Sequence, residues 1–195
     1  MQESQSSTVA IATKPALLLA ALLGCGLPAA AAPEVCVLAP HIEPAGPTPP
    51  TPPTARIPLS RPTLFIREPL AEIRLESGDT LLWRSPAPLE GPLAWPLAPL
   101  QPDALLTLRL RPIGADPSHF ATIRLQAGSA ERLTAGDALL RSLQVGPPAA
   151  WRPTIEGLLS QGDRSLATAL LFASEGPNEP ALNTLRLQAA RDSCL

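Results

Sequence analysis

The chain has 195 residues, 45% of them hydrophobic and 16% charged, with a formal net charge of -2 and a pI of about 5.7. That balance supplies enough apolar material for one core and excludes wholesale disorder, while the near-neutral charge gives no long-range pull on phosphate backbones, so nucleic acid is not an expected partner. Lys14 is the only lysine and tyrosine is absent, which removes Schiff-base chemistry, a P-loop lysine and a tyrosine acid or base from whatever follows Lys14.

Residues 1–31 read as a signal peptide. Lys14 precedes an apolar, uncharged run from Ala16 to Leu23, the length of a signal h-region and far short of the roughly 20 residues a membrane-spanning helix needs. Ala29 and Ala31 form a small-x-small cleavage site, and a cut after Ala31 rather than Ala32 avoids placing Pro33 directly after the cut. The alternative starts from Leu22, Leu23, Gly24 and Cys25, which resemble a bacterial lipobox. Cys25 would then be lipidated, become the first mature residue and anchor the protein to a membrane. Either way the chain is expected to be exported, as a periplasmic or extracellular protein or as a lipoprotein, with no transmembrane helix.

Residues 32–60 are rich in Pro, Ala and Thr, with Pro47, Pro49, Pro50, Pro52 and Pro53 close together. Such a composition favours an extended, polyproline-like spacer over packed structure. From 61 to 128 the hydrophobic period is two. Leu106, Leu108 and Leu110 alternate with Thr107, Arg109 and Arg111, and Ala121, Ile123 and Leu125 alternate with polar neighbours, the mark of strands with one buried face. Ala71, Ile73 and Leu75 alternate likewise, and Ser77-Gly78-Asp79 then turns the chain into Thr80–Arg84 as a hairpin. Thr63–Arg67 and Leu93–Trp95 are weaker strand candidates. The expectation is a mainly β chain with an α tail: a small antiparallel β-sandwich followed by two or three short helices.

The tail, 129–195, has helical periodicity. Thr134 with Asp137 reads as a capping box ahead of Leu139, Leu140 and Leu143, and Gly146-Pro147-Pro148 ends that helix. Asp163 caps a second helix through Leu166 and Leu170, and Asn178 a third carrying Pro180, Leu182, Leu185 and Ala189. The last two read as a helical hairpin docked on the sheet, since their leucine faces would otherwise form an apolar patch.

The stretch Leu97 to Pro112 resembles the "proline, turn, then strand" segment of fibronectin type III and other Ig-like domains. Preceded by a strand carrying Trp83 and followed by a helical tail, it is also similar to uncharacterised exported cyanobacterial proteins such as the family of unknown function DUF928. The resemblance covers Arg61 to Ala127. It implies an Ig-like sandwich and brings no catalytic residues, and the chain departs from the immunoglobulin pattern in lacking both a tyrosine corner and a cysteine pair between its strands.

Chemistry is sparse. His41 and His119 are the only histidines, so no metal site and no cofactor is expected. Asp116, Ser118 and His119 have the residue types of a nucleophilic triad but sit on one predicted turn, where they cannot align as nucleophile, base and orienter. Glu72 and Glu76 flank Arg74 on one strand face with Arg109, Arg111 and Arg124 on neighbouring strands, a pattern of cross-strand ion pairs. Trp95 with Arg109 and Arg111 is the candidate glycan contact, although Trp83 and Trp95 also suit core packing. Cys36 and Cys194 are the candidate disulfide. The function expected is a non-enzymatic interaction or structural module of the cell envelope with another envelope protein as partner; glycan or peptidoglycan binding is the alternative.

Overall fold

The computed structural model describes residues 35–43, 52–85 and 89–192. The expected signal peptide with Cys25, and Cys194, lie outside them. The described residues form seven strands, β1 (Val37–Ala39), β2 (Thr54–Ile57), β3 (Leu64–Ser77), β4 (Thr80–Arg84), β5 (Leu89–Leu93), β6 (Leu105–Pro112) and β7 (Ala121–Ala127), then four α-helices, α1 (Ala130–Val145), α2 (Trp151–Ser160), α3 (Arg164–Leu171) and α4 (Pro180–Asp192). The sheet-rich fold with a helical tail is therefore present.

The strand region is one curled, mixed sheet, ordered β1-β3-β6-β7-β2, with β4 and β5 paired to β3 as well. β4 and β6 both pair with β3 around Arg74 to Glu76, so they occupy its opposite edges. β6 and β7 are antiparallel, with Leu108 opposite Ile123, whereas β2 runs parallel to β7, Ala55 opposite Leu125. Just past β1, which pairs with β3, Ile42 bridges to Ala55 of β2, so the segment at one end of the strand order also reaches the strand at the other. The two-sheet, wholly antiparallel arrangement expected from the alternation is not what the chain builds. Alternation reports which side of a strand is buried, not its direction or how many sheets share the core.

The Pro-rich stretch departs from the spacer reading at both ends. β1 and β2 lie in it, and Ala39, Ala55, Ile57 and Leu59 are buried. Its prolines flank these short strands, Pro40 after β1 and Pro53 and Pro58 around β2, where a missing backbone donor costs nothing in the ladder. The two separate candidates Thr63–Arg67 and Ala71–Glu76 are one 14-residue strand. Pro69 inside it is exposed and falls where the pairing with β5 shifts register between Ile66 and Leu70, an irregularity that tolerates proline.

β3 feeds two apolar cores. Leu64, Ile66, Leu70, Ile73 and Leu75 join Leu108, Leu110, Ile123, Leu125 and Trp95 inside the curl. Phe65 turns the other way and stacks on Phe172, ring centroids 5.1 Å apart, at the edge of a second core made by Leu38, Leu59, Trp151, Ile155, Leu166, Leu170 and Leu182. Helices thus cover part of the sheet's outer face, the layer arrangement that a one-sided sheet requires.

The helix starts differ in detail from the capping signals. α1 begins earlier than Thr134: Ser129 is its N-cap, accepting from the Arg132 N–H at 3.3 Å, while Thr134 donates to the Ala130 carbonyl and Asp137 accepts from the Ser60 N–H at 3.0 Å. Gly136 lies against the Pro58 backbone, and a Cβ there would run into the Pro58 carbonyl oxygen. α2, not anticipated from the sequence, carries Pro153 in its first turn, where the helix needs no donor. Asp163 caps α3 as its position implies, accepting from the Leu166 N–H at 3.2 Å, and its carboxylate oxygens each accept at 2.6 Å from Arg132 Nη2 of α1. Asn178 does not cap α4; its side chain accepts from Asn183 Nδ2 instead. α4 docks through Leu182 and Leu185. None of the described helices is long and apolar enough to cross a membrane.

Candidate functional site

The outer face of β3, β4 and β6 is a compact ionic cluster. Glu72 is 3% exposed, sealed by the arginines over it rather than by depth in the fold. Its Oε1 lies 2.6 Å from Arg74 Nε and 2.6 Å from Arg84 Nε, and its Oε2 3.0 Å from Arg111 Nη2. The hydrogen bond from Arg74 is the largest influence holding the Glu72 carboxyl below its ordinary pKa, helped by Arg111 and opposed by desolvation. Arg109 Nε comes within 2.8 Å of Glu76 Oε2 without directing its N–H at it, an ion pair that is not a hydrogen bond. Phe120 closes the cluster, with the Arg74 guanidinium 4.5 Å and that of Arg111 5.9 Å from its ring centre, both in cation–π range. The cross-strand pairing read from the sequence is therefore formed.

Trp95 is not on that face. It is 8% exposed, sits in the core inside the curl and donates its indole N–H to the Ala98 carbonyl at 3.0 Å. Arg109 and Arg111 alternate along β6 with Leu108 and Leu110 of that same core, so the sheet separates Trp95 from them and the three form no shared surface. Asp116, Ser118 and His119 make a local turn: Asp116 Oδ1 accepts from the Ser118 N–H at 2.8 Å and from Ser118 Oγ at 2.5 Å, and the His119 N–H donates to the Asp116 carbonyl. The serine hydroxyl thus points to the carboxylate and not to the imidazole. Its two bonds hold the exposed Asp116 below its ordinary pKa. No group of three His, Cys, Asp or Glu side chains able to hold a metal occurs among the described residues.

Two surfaces that periodicity did not mark are more open. The first is β4. Where β3 and β4 shift register between Leu75 and Glu76, Trp83 opposes Leu75 but Leu81 opposes Glu76, leaving Leu82 as an extra residue on β4. Leu81 is 51% and Leu82 43% exposed, so Leu81 does not join Trp83 on the inner side as simple alternation implies. Among the described residues β4 pairs only with β3, which leaves its outer edge open. The second is a groove of about 500 Å³ on the outer face of β3 and β5, walled by the end of α3 and by α4.

Cys36 is disulfide-bonded, and its partner cysteine lies outside the described residues. It lines a cavity of about 440 Å³ together with His41, Thr168, Ala189 and Asp192, the last described residue of α4. Burial, with Arg164 nearby, pushes the His41 imidazole below its ordinary pKa, against a smaller opposite pull from Glu43.

No family model matches the chain, and no match is found among curated proteins or solved structures.

Proposed function

We propose that this protein is a non-enzymatic interaction module of the cell envelope that docks another envelope protein on the open edge of β4. The observation that carries the reading is that edge: a strand that, among the described residues, pairs only with β3 and has neighbouring Leu81 and Leu82 both exposed. Natural sheets usually blunt such an edge with charge, proline or a cover, and an edge left apolar is a template for a partner strand. The signal-peptide reading of residues 1–31 and the resemblance to exported cyanobacterial proteins support the envelope as its place. Within this proposal the Ig-like likeness extends to the antiparallel strands β3, β4, β6 and β7.

A photo-crosslinking residue at Leu82 tests it in the native host. One defined envelope protein should be captured, and capture should be lost in Leu81→Lys, which charges the edge without touching either core. Equal crosslinking in Leu81→Lys, or a smear of unrelated proteins, would remove the β4 edge as the docking surface.

A further inference from the structure

The groove beside α4 is lined mainly by apolar residues, with arginines and no carboxylate among the rest. Phe65 of β3, with Leu38 and Pro92 beside it, forms its floor, Phe172 and Ala173 one wall, and Leu187 and Ala190 of α4 the other. Leu187 is 62% exposed at its mouth. Arg67 and Arg186 also line it, and no Asp or Glu does; the nearby Glu175 accepts from Ser174 Oγ at 3.0 Å.

Arg186 is fixed in place by neutral acceptors. Its Nε donates to the Leu171 carbonyl at 2.8 Å, and its Nη1 to the Pro177 carbonyl at 3.2 Å and to Asn183 Oδ1 at 2.9 Å. Its Nη2 takes part in none of these bonds. Gly176 makes room for that nitrogen, since a Cβ at this position would lie 2.7 Å from it. Arg186 makes no ion pair with any described residue, and its partial burial disfavours the cation. A half-buried guanidinium held by three hydrogen bonds to neutral acceptors and neutralised by no described residue is suited to an incoming anion.

We propose that this groove binds an aliphatic monocarboxylate, the alkyl chain lying on Phe65, Phe172 and Leu187 and the carboxylate pairing with Arg186. The apolar lining selects a chain, the arginines without a lining carboxylate select an acid head, and a volume of about 500 Å³ is that of a small-molecule site. It holds one chain rather than the two of a membrane lipid. A protein partner would instead need a surface of roughly 800 Å² on each side. The proposal is independent of the β4 edge.

Calorimetric titration of the full chain with dodecanoate, dodecanol and octanoate at neutral pH tests it. Dodecanoate should bind saturably at one site and dodecanol at least tenfold more weakly. Octanoate should lose affinity in steps of about threefold to fourfold per missing methylene. Arg186→Gln should bring dodecanoate down to the level of dodecanol. Because Arg186 also ties α4 to the carbonyls of Leu171 and Pro177, Leu187→Glu provides a second reading: exposed, and placing a negative charge at the mouth, it should weaken dodecanoate at least tenfold and dodecanol far less. Equal affinity for acid and alcohol, or no effect of Leu187→Glu, would overturn the proposal. So would saturation by a peptide with an apolar C-terminus where dodecanoate does not bind.

Discussion

The inner and outer faces of β3 bury apolar surface by different routes. Inside the curl, residues two apart on β3, β6 and β7 meet across the register, Ile73 opposite Leu110 and Leu108 opposite Ile123, so local alternation alone assembles that core. Outside, Phe65 meets Phe172, a contact across more than a hundred residues, and the rest of the second core comes chiefly from the helices, from β1 and from Leu59 just after β2. The outer face also changes character along one strand: apolar and covered at Phe65, ionic and half-open from Glu72 to Glu76. The lesson is that a single strand specifies one core by its period and the other only through what later packs on it.

The largest expected effects test whether these are two cores or one cooperative unit. Leu108 and Leu170 are both fully buried, one in each core. Leu108→Ala and Leu170→Ala should each cost roughly 2 to 5 kcal/mol through lost burial and residual cavity. β1 puts Val37 in the first core and Leu38 in the second, so thermal melts followed by near-UV and far-UV circular dichroism should coincide in both variants. A Leu170→Ala protein that loses helix first while the strands persist would show that the helical layer is a separable unit.

This contrast also explains how much was legible beforehand. β6, β7 and the β3–β4 hairpin could be read because each is amphipathic by itself, and Asp163 marked α3 because a cap is a local signal. β1 and β2 were hidden by the prolines around them, although the alternation of Ala55, Ile57 and Leu59 was there to be found. α2 was hidden because Pro147, Pro148 and Pro153 read as breakers, yet Trp151, Ile155 and Leu158 carry the helical spacing. Of the candidate site, the Glu72 cluster was foreseeable from cross-strand charge. The open β4 edge depends on a register shift and the Arg186 groove on tertiary packing, neither of which any local pattern encodes.

The second expected effect concerns the link between β1 and α4. We propose Cys194 as the disulfide partner of Cys36, because Asp192, two residues before it, lines the same cavity as Cys36. Closing most of the chain into one loop contributes roughly 5 kcal/mol at most in the chain-entropy model, and about 2 to 4 in typical measurements. Peptide mapping under non-reducing conditions should find the Cys36–Cys194 pair, and reduction should lower Tm. A Cys36–Cys25 peptide, or a reducible dimer, would refute the pairing.

A smaller effect is expected at Asp163, which both caps α3 and accepts two bonds from Arg132 of α1. Asp163→Ala should cost about 1 to 2 kcal/mol, chiefly through the cap, measured by urea denaturation. Asp163→Asn should recover part of it, since an amide oxygen still caps. If Asn is no better than Ala, the Arg132 pair outweighs the cap and the helices are joined mainly by charge.

The smallest effect separates the ionic half of the outer face from the covered half by pH. Glu72 has its folded pKa below the ordinary 4.5, first through the hydrogen bond from Arg74. Between the folded and unfolded values the unfolded chain therefore binds more protons, so this contribution is fully present above about pH 4.5 and is lost as the pH falls through the folded value. Its arginines are partly solvated, so roughly 1 kcal/mol or less is at stake. His41 on the covered side has its folded pKa lowered from 6.5, first by burial, which gives the same sign in a higher window: stability complete above about pH 6.5 and declining as the pH drops below it. Urea denaturation of the wild type, Glu72→Gln and His41→Asn from pH 8 to pH 3 should show His41→Asn flattening the profile just below pH 6.5. Glu72→Gln should flatten it only below about pH 4.5. If Glu72→Gln leaves the acid limb unchanged, the cluster holds Glu72 without stabilising its charge, and the arginines serve β3 by packing on Phe120 alone.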